Sequence, residues 1–140
     1  KDLEIELCVA VGPTNSQRQQ IEETVRSIPR ARVILQADYI MELASSSLAI
    51  LAAGSSLWEA AVLGVPSIGL IVTDNQVNAA QAFLSNGLLE AIDCREGMQS
   101  EQIVKSMLTN LDRAQKSRVH LAVIGQGVYL VAHQLRIEED

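Results

Sequence analysis

Aromatic side chains are nearly absent: Phe, Trp and Tyr together make up 3% of the 140 residues. The core must therefore be filled by Val, Ile, Leu and Ala, which favours layered α/β packing over an aromatic-rich β-sandwich. Cysteine is just as sparse. Cys8 and Cys94 stand far apart and match no metal-ligand spacing. Cys8 lies in an apolar run and reads as a small core residue, and the pattern suits a reducing, cytoplasmic setting. Long apolar runs are missing too: none reaches the ~18 residues of a membrane span. The acidic opening KDLEIEL is not a signal peptide, and without an initial Met the chain reads as a fragment or a processed form. Excess positive charge is also lacking. A net charge of −6 argues against a nucleic-acid or anionic-membrane surface. It leaves room for a small anion, because helix N-termini bind phosphate through backbone N–H groups.

Familiar catalytic signatures are missing as well. Neither G-x-G-x-x-G nor G-x-x-x-x-G-K-[ST] occurs, which removes the usual dinucleotide and P-loop sites. Val11-Gly12-Pro13 lacks the acidic pair of a phosphorelay receiver. Gly54-Ser55-Ser56-Leu57-Trp58 fails as a nucleophile elbow because Trp58 replaces the second glycine. His120 and His133 fall late in the chain and read as surface or packing residues. Catalytic residues stay unassigned, and no metal or cofactor is expected.

What is present is an alternation of strands and helices. At 48% hydrophobic and 20% charged residues, the chain suits one domain with a real core. Strands are predicted over residues 3–11, 32–36, 48–53, 67–73 and 88–92, and helices from 14–16 to 28 and over 38–45, 57–63, 75–86 and 100–111. Ile21, Val25 and Ile28 would face inward from the first helix, and Ile40, Leu43 and Ala44 from the second. Ile103, Val104, Met107, Leu108 and Leu111 would form the stripe of the last of these. Gly87 stands where a helix-stopping glycine usually does. A further helical tail is read over residues 128–136, after Gly125 and Gly127, and no element is assigned to residues 116–124. The alternation predicts a Rossmann-like three-layer α/β/α domain with a parallel sheet over residues 1–140.

The centre of this pattern is residues 48–76, LAILAAGSSLWEAAVLGVPSIGLIVTDNQ. Strand, small-residue turn, helix and second strand make a parallel βαβ unit, and ligands of such folds sit where strands end and helices begin. Two polar clusters fall there, one strand apart. In the first, Ser56 and Glu59 form S-x-x-E, which is a capping box. The same residues suit a phosphate: Gly54 permits close approach, Ser55 and Ser56 offer hydroxyls and N–H groups, and the helix dipole favours negative charge. Glu59 would accept from vicinal ribose hydroxyls. The capping and ligand-binding readings compete for its carboxylate. In the second cluster, Asp74 and Asn75 read either as an N-cap or, with Gln76, as amides that recognise sugar hydroxyls. Gly12-Pro13-Thr14, after the first strand, is a third and weaker turn.

The segment AILAAGSSLWEAAVLGVPSIGLIVTDNQ resembles the C-terminal domain of the UDP-sugar hydrolases of pseudaminic acid biosynthesis. That family belongs to the GT-B superfamily and is close to the N-acetylglucosaminyltransferase that makes lipid II. Its pattern, A-D-L-A-I-x-A-x-G-S-T-x-W-E, L-G-x-P and D-N-Q, matches at Gly54, Ser55, Trp58, Glu59, Gly64, Pro66, Asp74, Asn75 and Gln76. Weaker similarity runs over residues 3–136, with Gly125-Gln126-Gly127 in place of D-G-x-G-A-x-R. Ser56 stands for the commoner Thr, and Ser47 for the Asp before the strand.

The resemblance implies the C-terminal half of a GT-B fold. Gly54, Ser55 and Ser56 would contact the UDP phosphates, Glu59 the ribose, Asn75 and Gln76 the sugar, and the backbone of residues 35–37 the uracil; Gly12, from the third turn, is read as an additional nucleotide contact apart from the resemblance. The family's water-activating histidine lies in a G-x-G-H loop of an N-terminal domain, and this sequence has no such loop. The expected partners are therefore a UDP-sugar and an N-terminal domain of the same chain, with neither nucleic acid nor a membrane span involved. An exposed interdomain face would favour self-association. Two alternatives carry the same site: the C-terminal domain of a UDP-sugar glycosyltransferase, and a non-catalytic nucleotide-sugar binding or regulatory module.

Overall fold

The computed structural model describes residues 5–85 and 89–114. Gly87, the tail helix at 128–136, Gly125-Gln126-Gly127, His120 and His133 lie outside the described residues. The fold is α/β and Rossmann-like: among the described residues five strands alternate with helices and fall in two sheets, each parallel within itself. The chain divides into two compact units between Ser45 and Ser46. Among the described residues no helix is long and apolar enough to cross a membrane.

In the first unit, β1 (Leu7–Ala10) pairs in parallel with β2 (Ala31–Ile34), from Leu7↔Ala31 to Ala10↔Ile34. The connecting helix α1 (Arg18–Arg26) begins later than residues 14–16, because Asn15 accepts the Gln17 N–H at 2.8 Å and holds the chain in an Asx turn. Val25 is buried and Ile21 half-buried, whereas Ile28 falls past the helix end and is exposed. The second helix, α2 (Tyr39–Ser45), follows a 3₁₀ turn at Gln36–Asp38. Leu43 is buried, but Ile40 and Ala44 are exposed, contrary to the expected inward face. A polar residue on the half-buried side shows why: Glu42 meets Arg32 Nη2 at 2.6 Å and accepts from the Cys8 thiol at 3.8 Å. Cys8 is thus half-buried against a carboxylate rather than a plain core residue. Burial, more than its neighbours, raises its pKa.

The second unit carries β3 (Ala49–Ala52), α3 (Ser55–Val62), β4 (Ser67–Ile71), α4 (Val77–Ser85), β5 (Leu89–Asp93) and α5 (Ser100–Ala114). Its sheet order is β3-β4-β5, all parallel. Side chains alternate across a strand, and the core divides accordingly. On one face Ala53, Ile71, Leu51 and Ala91 pack with Leu57 and Ala61 of α3 and Ala80 and Phe83 of α4. On the other, Ile68, Leu70, Ile92 and Cys94 pack with Ile103 and Met107 of α5. Two crossovers that move along the sheet in one direction put both helices on the same side. The helix after β5 returns over the opposite side. The unit is therefore a three-layer α/β/α sandwich.

The motif's structural residues are explained by this packing. Gly64 takes φ 69° just past α3, where Gly64 N–H bonds to the Ala61 carbonyl at 3.1 Å and Val65 N–H to that of Ala60 at 2.9 Å. That is the paired Schellman pattern, which favours glycine at the left-handed position. Trp58 tilts against Phe83 with ring centroids 4.5 Å apart, joining α3 to α4.

One predicted stripe is rotated. Val104 and Leu108 of α5 are exposed, while Ser106 is buried and Asn110 half-buried. Glu90 is the cause. It points from β5 to the α5 side of the sheet and accepts hydrogen bonds from Ser106 Oγ and, at 2.8 Å, from Asn110 Nδ2. A carboxylate left without partners there would cost more than two apolar side chains gain by burial, so the helix turns its polar pair inward.

Candidate functional site

In-register parallel pairing brings three strand ends to one edge. Ala52 pairs with Leu70 and Leu70 with Ile92. The ladder runs on past the strands through Ala53 N–H to the Leu70 carbonyl and Cys94 N–H to the Ile71 carbonyl, both at 2.8 Å. The chain after β3, β4 and β5 therefore leaves from neighbouring positions.

The turn after β3 is tight. Gly54 N–H reaches back to the Ala52 carbonyl at 2.7 Å, and its own carbonyl accepts from Leu57 N–H at 3.1 Å. Gly54 is the N-cap of α3, without any side-chain cap. The capping box expected from Ser56 and Glu59 does not form, because the helix begins at Ser55 and places Ser56 inside its first turn. The N–H groups of Ser55 and Ser56 lack helical carbonyl partners, as at every helix start. Nothing lies within 4 Å of where a Cβ on Gly54 would stand. Ser55 is exposed and Ser56 half-buried. Glu59 is exposed, and its carboxylate accepts no hydrogen bond among the described residues. The competition for Glu59 is thus settled against capping.

The turn after β4 departs from the sequence expectation differently. Asp74–Gln76 is a 3₁₀ turn ahead of α4, and its N-cap is Thr73, with no side-chain cap bond. Asp74 and Asn75 do not cap the helix. Thr73 Oγ1 donates to Asn75 Oδ1 at 2.5 Å, and Val72 N–H donates to Gln76 Oε1 at 2.9 Å. Both amide oxygens are thereby engaged. The Asn75 Nδ2 and Gln76 Nε2 donors have no partner among the described residues. Each amide thus keeps its NH₂ group, with two N–H donors, for another partner.

The turn after β5 was not singled out from the sequence. Arg95 Nε donates to Asp93 Oδ1 and Oδ2 at 3.0 and 3.1 Å, and Nη2 to Asp93 Oδ2 at 2.6 Å. Its Nη1 reaches Asp74 Oδ1 at 2.7 Å. The guanidinium beside it pulls the Asp93 carboxyl down to about 2, and the two carboxylates raise Arg95. The only local signal was an acid and a base two residues apart at a strand end.

Of the predicted residues, Gly54, Ser55, Ser56, Glu59, Asn75 and Gln76 thus gather at the ends of two neighbouring strands. Gly12 belongs to the first unit. It is exposed, its carbonyl accepts from Asn15 N–H at 3.2 Å, and it too has no atom within 4 Å of a Cβ position. Residues 35–37 also belong to that unit, where Asp38 N–H closes on the Leu35 carbonyl at 3.0 Å.

The edge offers helix-N-terminal N–H groups and hydroxyls at one strand end, and amide donors with a carboxylate at the next. Among the described residues no group of three or more His, Cys, Asp or Glu is arranged to hold a metal ion. No protein-family model matches the chain, and no curated protein matches it.

Proposed function

We propose that this chain is the donor-binding domain of a cytoplasmic UDP-sugar hydrolase of bacterial surface-sugar biosynthesis, of the pseudaminic or a related nonulosonic acid pathway. The observation that carries the reading is the adjacency of two polar turns at one sheet edge: an uncapped helix N-terminus under an open Gly54, and a turn whose amide donors are unspent. In this reading the UDP phosphates lie on the N–H groups of Ser55 and Ser56, where the α3 dipole favours negative charge. Glu59 accepts from the ribose hydroxyls, and Asn75 and Gln76 donate to the sugar. The base that activates water belongs to an N-terminal partner domain, as the family resemblance implies.

Calorimetric titration with UDP tests this, repeated on Glu59→Ala. Saturable binding that the variant weakens by ~1–3 kcal/mol, the scale of a polar group left unmatched, supports the reading. No heat at millimolar UDP refutes it.

A further inference from the structure

We infer that the outer face of α5 is a docking groove for the chain's own C-terminal segment, residues 128–137, laid antiparallel along the helix. The inference is independent of the nucleotide-sugar reading. Ile103 and Met107 turn one side of α5 to the sheet. Another side carries Val104 and Leu108, 50% and 45% exposed. They lie one turn apart in a groove whose other lining residues are Ser100, Glu101, Lys105 and Thr109. Apolar side chains exposed singly need no explanation. An apolar pair set in a groove with a polar rim has the form of a contact surface.

Sequence pattern, reach and charge name the occupant. The chain continues from the end of α5 at Ala114 to Asp140. Within that stretch Val128, Val131, Ala132 and Leu135 recur at the i, i+3, i+4, i+7 spacing of an amphipathic helix, which needs an apolar surface to lie on. At ~1.5 Å per residue, α5 is about 22 Å long. Residues 115–127 reach ~40 Å when extended, so the stripe can return from Ala114 and run back toward Ser100. On that course Glu138, Glu139 and Asp140 come to the N-terminal end of α5, where the helix dipole favours negative charge. Lys105 stands in the same groove and adds to the attraction. A parallel course would carry the three acids toward the C-terminal end of α5, where the dipole opposes them.

The test is photo-crosslinking of the 140-residue chain with p-benzoylphenylalanine in place of Leu108, the products being mapped by mass spectrometry. Crosslinks should join position 108 to residues 128–137 within one chain, in a yield that does not depend on protein concentration. Leu135→Asp sets a charge against the apolar pair and should cut that yield roughly 5-fold or more. Lys105→Glu reverses one charge of the groove and should lower the yield more at low salt than at high salt. Crosslinks between two chains, rising with concentration, would assign the groove to a second copy and overturn the inference. Crosslinks confined to residues outside 128–137, or a yield that Leu135→Asp leaves unchanged, would overturn it too.

Discussion

Asp74 and Arg95 stand 21 residues apart in the chain and 2.7 Å apart in space, carboxylate to guanidinium. The contact ties the end of β5 to the turn after β4, and Asp93 holds the other side of the same guanidinium. An Asp-Asn-Gln run that reads as three polar turn residues thus has three separate engagements: Asp74 to Arg95, Asn75 to Thr73, and Gln76 to the Val72 backbone.

The Asp93–Arg95 pair carries a pH signature. The pKa of Asp93 is lowered from 3.8 to about 2 by its bonds to Arg95. A depressed carboxylate stabilises the fold above its unfolded pKa, and that contribution is lost as pH falls through the folded value. The window lies between about pH 4 and pH 2. NMR titration of the Asp93 carboxyl carbon should show a midpoint near 2 in the native chain. In Arg95→Leu it should return toward the ordinary carboxylate value, and the acid limb of the stability curve should flatten. A midpoint unmoved by the substitution would deny the pairing.

Two glycines should respond in opposite ways to alanine. Gly64 holds φ 69° in the Schellman turn after α3, where a Cβ costs ~1–2 kcal/mol. Gly54 has a negative φ and open space around it. Gly54→Ala should change stability by less than ~0.5 kcal/mol, as for surface changes in general, and yet weaken UDP binding by crowding the approach to the α3 N-terminus. Urea unfolding and the UDP titration read the two effects separately.

Glu59→Ala should likewise leave stability within ~0.5 kcal/mol of the native chain, because its carboxylate caps nothing. A loss nearer the ~1 kcal/mol of a removed helix cap would restore the capping box.

Glu90→Ala should cost ~1–3 kcal/mol in urea unfolding, since it strips the buried Ser106 hydroxyl and Asn110 of their acceptor. Glu90→Gln retains an acceptor oxygen and should cost less. Equal losses would show that the carboxylate's charge, rather than its hydrogen bonding, holds α5.

Leu57 is among the most deeply buried side chains, 1% exposed beneath α3. Leu57→Ala should destabilise by ~2–5 kcal/mol, the range for large-to-small changes in a packed core, read by the same unfolding assay. A loss under 1 kcal/mol would mean that the α3 layer collapses into the space.

Much of this architecture was legible in the residues. Apolar runs bounded by Gly and Pro located the five strands of the described residues, and Gly64 marked the end of α3 because a left-handed residue there is a local requirement. What escaped reading depended on distant partners. The α5 stripe was misplaced because Val104 and Leu108 satisfy helical periodicity as well as Ser106 and Asn110, and only the carboxylate of Glu90 across the layer decides between them. The start of α3 moved because S-x-x-E favours one helix boundary, while the turn at Gly54, bonded back to Ala52, sets another. Arg95 was passed over since a lone exposed Arg carries no periodic signal. The division into two sheets is a matter of which strand edges pair, and hydrophobic pattern alone is silent on that.

The order of the three-stranded sheet has a consequence for how its unit assembles. The two pairings, Ala49↔Ser67 and Ser67↔Leu89, join residues 18 and 22 apart in the chain, each across a helix. Such non-local parallel pairing is slow to form. The middle strand, β4, is hydrogen-bonded along both edges and carries Ile68 at 0% and Ile71 at 9% exposure on opposite faces. Its amides should be the last in the unit to trade their protons for deuterium, while the turns at its end exchange early. A rigid rail thereby carries a responsive tip.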